Sequence, residues 1–557
     1  MVDLEKRTIL AFVLSFAVFI IWSLLFAPTE EHVPVNDEPA GKESPGKTVG
    51  EVESALTRPV QTQGPGQTMN REAPDIEEKE IEVDTPLYRA VFSNSGPTIK
   101  SFKLKRYRQS VDEDSPLIEL VNLEDNMGDF CLVSFSNPSA SQHKKATYQV
   151  DDQTVTLGVD SLPQDLIFRS ENPDGISVSQ AFRFYPDQYR IDLHIEVINQ
   201  AEEPVGGSFI ATLRVLPPQE KASYYSYIGL ILLVDEELEQ VKIKKPFEEK
   251  LLEGQIDWVA YEDDFFISSV MPGQPSRGSF RGRLFPTGIL EGDYVMPAVV
   301  LNPLERISSS FLFYFGPRDM GSLKATGKNL DLAVNFGWTD IIAKPLLWLL
   351  HFFNKYINNY GISIILITIV IKILFWPLTH KSYKSMKEMQ KLQPRMTKLR
   401  EKYKNDREQL NKEMMALYKT YKVNPMGGCL PMIIQLPVFF ALFRILGNAI
   451  ELRHAPFMLW INDLSAPDRL FDFPFQIPMM APPSGIPVLT LLMGASMFIQ
   501  QKMTPTPGDP MQAKIMMFLP VIFTFMFINF PSGLVLYWLV NNILSIGQQY
   551  RIHKSPA

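Results

Sequence analysis

The apolar run SIILITIVIKILFWPL, residues 363–378, holds a single charge, Lys372. At mid-membrane a lysine costs about 2.5–3.5 kcal/mol on insertion scales, so its retention needs a physical reason. Thr368 lies four residues earlier and shares a helical face with it. Other apolar runs carry Gln435, Ser496, Gln500, Asn529, Asn541, Asn542 and Ser545. In hydrocarbon such groups must face one another or water. Their spread over several runs favours a polar-lined interior, whose chemistry is solvation and electrostatic attraction. Two readings of Lys372 stand at this point: the ammonium is lifted on its stem toward headgroups, or it faces a watery cavity. Arg444, near the outer end of its run, fits the first description. Covalent chemistry has no footing. There is no zinc spacing, Gly-rich phosphate loop or nucleophile elbow, and no paired carboxylates of a proton relay. No catalytic residue, metal or cofactor is expected, and the chain is not expected to be an enzyme.

The elements that must position these groups are membrane spans. Residues 8–27, TILAFVLSFAVFIIWSLLFA, form an uncharged run behind Lys6 and Arg7. A cleavable signal peptide is the alternative, but about 20 apolar residues match a helical span better than a signal core. The expectation is an anchor over 1–27. Residues 28–82 are rich in Pro, Glu, Gly, Thr and Gln with almost no aromatics, the composition of a flexible linker. Further apolar runs lie at about 361–379, 429–449, 483–501, 513–530 and 533–550, the last two divided by Pro531-Ser532-Gly533. Six spans result. Between 380 and 425 thirteen Lys/Arg face five Asp/Glu, whereas 451–482 holds only Arg453 and Arg469. Positive residues mark the cytoplasmic side, so both termini are expected inside, with 28–357 mainly outside. The two cysteines, Cys131 and Cys429, then lie on opposite sides and cannot pair.

From 83 to 325 the pattern is of short strands. In YRIDLHIEVIN, Ile191, Leu193, Ile195 and Val197 alternate with Asp192, His194 and Glu196, a period of two with one face buried. His194 falls on the wet face. SQAFRFY precedes it across a turn at Pro186-Asp187, and YIGLILLV, 227–234, is too short to span and is expected as a buried strand. The expectation is an antiparallel β-sandwich outside the cytoplasm. Residues 326–357 follow, with IIAKPLLWLLHFF at 341–353 too short to span and suited to an amphipathic helix lying in the interface. The basic segment 382–421 has high helix propensity and predicts two amphipathic helices in a hairpin. Pro394 perturbs the first, and Asn405 with Glu408 forms a capping pair for the second. Its methionine-rich stripe serves either internal packing or docking of variable apolar partners, and its charge attracts anionic lipid.

Four stretches are specific: KVNPMGGCLPMIIQLPVFFALFRIL (422–446), ELRHAPFMLWINDLSAPD (451–468), DPMQAKIMMFLPVIFTF (509–525) and FPSGLVLYWLVNN (530–542). With the order of spans, they make the chain resemble the YidC/Oxa family of membrane protein insertases, in its Gram-negative type with a large periplasmic domain. WVAYEDDFF (258–266) fits that type. The resemblance implies a six-span inner-membrane protein with a five-helix insertase core over 358–557 and a periplasmic β-sandwich. Its implied activity is insertion and folding of nascent membrane proteins, alone or with the Sec translocon, through a hydrophilic groove open to the cytoplasm. It implies that Lys372 is the groove charge and Thr368 the groove threonine, and that Tyr537 and Trp538 contact substrate; Gln435 and Asn541, polar residues within the apolar runs, are expected to line the same groove. The hairpin becomes the recruitment element, with Lys384, Lys391, Arg395, Lys398 and Met414 meeting a ribosome or targeting factor. Sec accessory subunits and anionic lipids are further implied partners. Lysine in place of the family's usual arginine is a departure. A guanidinium stays charged essentially everywhere, whereas a dehydrated ammonium is able to lose its proton, so attraction of acidic substrate tails here requires a wet groove. The competing functions are a small-solute transporter, which predicts inverted repeats that the chain does not display, and a membrane-anchored periplasmic binding receptor.

Overall fold

The computed structural model describes residues 78–554 except 124–126, 137–146, 152–153, 172–174, 219–226, 244, 422, 424–429 and 505–509. The expected anchor, nearly all of the expected linker and Cys429 lie outside the described residues.

The β-rich part begins at Glu80 and contains two sheets. The smaller orders its strands Leu117–Glu119, Thr98–Arg108, Tyr88–Ser93, Glu80–Asp84 and Thr154–Thr156. The last pair is parallel, so the expected purely antiparallel arrangement holds for every neighbour except that one. The larger sheet has 14 strands, with Arg190–Asn199 paired between Ile176–Phe184 and Arg306–Pro317. The alternation in this strand has its expected outcome: Ile191, Leu193, Ile195 and Val197 are buried and His194 is exposed. Gly229–Val234 is buried at every position and pairs with Glu249–Glu262. The two sheets meet through aromatic rings. Phe92 lies 5.2 Å from Phe182 and 5.6 Å from Phe184 by ring centroid, and Phe102 lies 5.3 Å from Phe315. Each such buried ring contributes roughly 1.5–3 kcal/mol by removal from water. The free thiol of Cys131 is buried in this core, which pushes its pKa up.

Nine helices follow among the described residues. Helix α1 (Met320–Thr326) is capped by Asp319, whose carboxylate accepts from the backbone N–H of Gly321 and Ser322. Helix α2 (Asp340–Ile357) is the amphipathic helix expected within 326–357, with Ala343, Leu347 and Leu350 buried and Ile341, Trp348 and Tyr356 exposed. Next come α3 (Tyr360–Leu374) and α4 (Trp376–Lys402), bent by 65° at their junction, where Pro377 at the start of α4 removes a backbone donor. Helix α5 (Arg407–Thr420) completes the hairpin, followed by α6 (Leu430–Asn448), α7 (Val488–Met503), α8 (Pro510–Phe527) and α9 (Ser532–Lys554). Among the described residues no single helix is long and apolar enough to cross a membrane, and α3 with α4 passes that test only as a bent pair. Helices α7 and α8 nevertheless leave large apolar side chains uncovered, including Leu491, Leu492, Phe518, Ile522 and Phe525, each about half exposed or more.

The hairpin differs from expectation in one detail, its cap. Asp406, not Asn405, caps α5: it takes the extended backbone of a cap, and its carboxylate accepts from Gln409 N at 3.0 Å. Pro394 lies within α4 without ending it, its side chain exposed. The apolar stripe is turned inward, with Met389, Leu392, Met396 and Val423 packed against Met414, Leu417 and Tyr418.

Candidate functional site: a polar recess at the joint of four helices

Helix α9 carries Tyr537, Asn541, Ser545 and Gln548 at steps of four, four and three, so one stripe of the helix is polar. Against it lies the last turn of α3 with Lys372. The Lys372 ammonium donates to Ser545 Oγ at 2.6 Å, and that hydroxyl donates to Asn541 O at 2.7 Å. Among the described residues no carboxylate stands within ion-pairing distance of Lys372. One turn further along, Gln548 Nε2 donates to Thr379 Oγ1 at 3.0 Å, and from α6 Gln435 Nε2 donates to Tyr537 Oη at 3.1 Å. These groups border a recess of about 340 Å³, counting space that communicates with solvent, with Lys372, Thr379, Gln435 and Asn541 on its polar side and Ile371, Phe375, Leu378 and Ile434 on its apolar side.

Of the six groove residues expected from sequence, Lys372, Gln435 and Asn541 line the recess, and Tyr537 reaches it through Gln435. Thr368 is buried, and its hydroxyl donates to its own helix at Ile364 O, 2.7 Å away. Trp538 sits beside the recess in an aromatic cluster, 5.0 Å from Phe439, 5.1 Å from Phe527 and 6.1 Å from Phe523. Ser545, one of the polar residues within the apolar runs, holds the ammonium, and Thr379 and Gln548 join the polar cluster without a sequence signal of their own. The four-residue step from Asn541 to Ser545 was the available signal. Another four-residue step, back to Asn541 from Tyr537, extends it.

On the hairpin, Lys384, Lys391, Arg395 and Lys398 are exposed. Lys391 pairs with Glu388 at 2.9 Å, and the Arg395 guanidinium lies 4.9 Å from the Tyr421 ring centre. Met414 is half-buried in the hairpin core. The hairpin is tied to α9 by Lys387, whose ammonium donates to Ile552 O at 3.0 Å, and by Tyr383 and Met386 packed on Ile552.

The other end of the bundle is closed by the segment 449–487. Asp468 accepts from Trp460 Nε1 and from Leu489 N, both at 2.5 Å, and from Thr490 N at 3.4 Å. Ser532 N and Gly533 N donate to Ala466 O and Leu464 O, fixing the start of α9 beneath this segment. Arg453 joins it to the β-rich part: its guanidinium lies 5.7 Å from the rings of both Phe265 and Phe266 and donates to Gln109 O at 3.1 Å. His351 Nε2 of α2 donates to the Glu451 carboxylate at 2.8 Å, which raises the imidazole pKa. Among the described residues no group of three or more His, Cys, Asp or Glu is arranged to hold a metal ion.

Comparison with known proteins agrees with this architecture part by part. The family described as 60Kd inner membrane protein matches residues 352–557, and the YidC periplasmic domain matches residues 80–349. A protein named membrane protein insertase YidC from Syntrophus aciditrophicus is 42% identical over 99% of this chain and 100% of its own length. One of the same name from Geobacter metallireducens is 41% identical over 100% of this chain and 99% of its own. Among solved structures, an active YidC insertase with its first transmembrane domain resolved covers 85% of this chain and 93% of its own, at 19% identity and a TM-score of 0.38. With both parts matched by family and relatives aligned end to end at this identity, the chain belongs to the YidC family of membrane protein insertases.

Proposed function

We propose that this chain passes hydrophobic segments of nascent proteins from the cytoplasm into the bilayer through the recess around Lys372, using no covalent chemistry. As a member of its family it is a membrane protein insertase and not an enzyme, an inner-membrane protein with a periplasmic β-rich domain. The finer reading is of six spans, an N-terminal anchor and five in the core, with both termini cytoplasmic. The excess of thirteen Lys/Arg over five Asp/Glu in 380–425 supports this orientation. The recess then opens toward the cytoplasm and the lipid, and segment 449–487 closes the periplasmic side. The hairpin meets the ribosome or targeting factor and anionic lipid through its exposed cations, and the protein acts alone or beside the Sec translocon.

One observation carries the mechanism: Lys372 is held by a hydroxyl and not by a carboxylate. A salt-bridged lysine would present no net charge, whereas this one leaves its field to an incoming acidic group. Asn541, Gln435 and Thr379 hold water beside it, shortening the dry distance that a polar flank must cross. The apolar span then leaves the recess for lipid past Tyr537 and the aromatic cluster around Trp538. The test is complementation of a strain depleted of its own insertase. Lys372→Ala and Lys372→Glu are expected to impair substrates with acidic translocated tails and to spare otherwise matched neutral-tailed ones. Insertion of acidic-tailed substrates at wild-type levels by both variants would show the charge to be irrelevant.

A further inference from the structure

Between α6 and α7 the chain forms an exposed apolar loop. Phe471, Phe475 and Met479 are 68%, 61% and 83% exposed, and neighbouring Leu459 is 82% exposed. Large side chains this open are normally mobile, but here the backbone beneath them is fastened. Leu470–Asp472 pairs with Gly485–Ile486, and Phe473 N donates to Ser484 O at 2.7 Å. Arg469 donates to Pro483 O and Ile528 O at 2.9 and 2.8 Å. Asn529 accepts from Ala481 N at 2.8 Å and donates to Met479 O at 2.9 Å. The apolar tips are therefore presented on a braced platform anchored to the end of α8.

The chemistry of the patch selects its occupant. Protein hot spots are rich in Trp, Tyr and Arg, which combine apolar bulk with hydrogen-bonding tips. This patch exposes Phe, Met and Leu. Its one arginine is engaged with backbone carbonyls, and the indole N–H of Trp460 is engaged with Asp468. Between 470 and 487 the only charged residue is Asp472. The loop leads into α7 and is tied just past the end of α8, and Ile522 and Phe525 of α8 and Leu491 and Leu492 of α7 are likewise uncovered. Apolar surface poor in charge and donors, on a loop that adjoins two helices with uncovered apolar side chains, matches lipid. We infer that the loop 470–486 is a membrane-resident foot, with Phe471, Phe475 and Met479 immersed in the periplasmic leaflet, where it holds the outer ends of α7 and α8 at a set depth. This rests on the reading of α7 and α8 as spans.

The test uses the full chain in phosphatidylcholine vesicles, with Cys429 replaced by Ser and the buried Cys131 left in place. Nitroxide labels go at Phe475→Cys and Met479→Cys, with Phe525→Cys on α8 and Leu304→Cys, an 82% exposed turn of the β-rich part, as references. Collision with oxygen, which partitions into lipid, is compared with collision with a water-soluble nickel chelate. Oxygen-to-nickel ratios at 475 and 479 are expected to match 525 and to exceed that at 304 several-fold. Ratios at 475 and 479 equal to that at 304, with 525 lipid-exposed, overturn the foot and leave the spans intact. A ratio at 525 equal to that at 304 overturns the spans and the foot together. Shielding of 475 and 479 from both reagents means a second copy covers the patch, and the lipid assignment is wrong. Phe475→Trp gives a second readout, since brominated acyl chains should quench its added fluorescence if the foot is immersed.

Discussion

Replacing Asp468 by Ala removes one carboxylate and strands three donors. Helix α7 begins after Pro487, which provides no side-chain cap, and Asp468 supplies that cap from 21 residues upstream by accepting from Leu489 N. Loss of a carboxylate cap costs about 0.5–2 kcal/mol. The same side chain is 3% exposed and is the acceptor for Trp460 Nε1, and a buried donor left unpaired costs about 1–3 kcal/mol. Together Asp468→Ala should destabilise the helical core by about 2–4 kcal/mol, or roughly 5–15 °C in Tm for a unit of about 200 residues. Asp468→Asn keeps one acceptor oxygen but directs an amide at the remaining donors, so about half the loss is expected. Thermal unfolding of the full chain in detergent, followed by tryptophan fluorescence, reads the shift. The cycle with Trp460→Phe sharpens it. Phe removes the N–H and part of the indole, so a packing cost should recur in both backgrounds, and the total should be about 1 kcal/mol larger in the native background than beside Asp468→Ala. A Tm for Asp468→Ala within about 1 °C of wild type, well inside the shift expected for 1 kcal/mol, would refute the assignment of Asp468 as the keystone of this segment. Additive costs in the cycle would refute its bond to Trp460.

Three further outcomes are expected. Ser545→Ala should change core stability by less than about 1 kcal/mol, because water in the recess replaces the hydroxyl beside Lys372, and a loss above about 2 kcal/mol in a denaturation series would mean a dry site. Glu262, buried beside Arg318 at 3.2 Å, has its pKa pushed up to about 7, first by burial and further by Asp263 and Asp264, while Arg318 opposes the rise. Its folded pKa exceeds its unfolded one of 4.5, so its stabilisation is full below the unfolded value and is lost as pH rises through about 7, by at most about 3 kcal/mol. Glu262→Gln should flatten that fall between pH 4.5 and 7, and an unchanged Tm-against-pH curve would contradict it. Met396→Ala, at a 2% exposed position of the hairpin core, deletes packing worth about 2–5 kcal/mol. It should increase proteolysis within 382–421 without shifting the Tm of the remaining core, and a protected hairpin would contradict the inward packing.

What sequence made legible was periodic and local. Ile191 to Val197 alternate because one face of their strand is buried, and Gly229–Val234 is uniformly apolar because both faces are. Element ends depended on partners distant in the chain. The run expected at 361–379 stops being one helix after Leu374, where the chain turns by 65°. The run expected from 483 becomes helical only at Val488, because Gly485–Ile486 pairs with Leu470–Asp472 and Asp468 sets the first turn. Neither pairing has a sequence period to announce it.

The same limit applied at the site, and there it bears on function. A lysine in an apolar run is visible at once, but its meaning turns on what it meets 173 residues away. An aspartate at 545 would have made Lys372 one half of a buried ion pair, and removal of either partner would then strand a charge at several kcal/mol. Such a lysine is a structural pin, and Lys372→Ala would fail through misfolding whatever the substrate. With Ser545 in that place the ammonium is steadied without being neutralised. Its removal deletes a field and not a fold. Loss of insertion confined to acidic-tailed substrates, with Tm preserved, is the signature that separates the two.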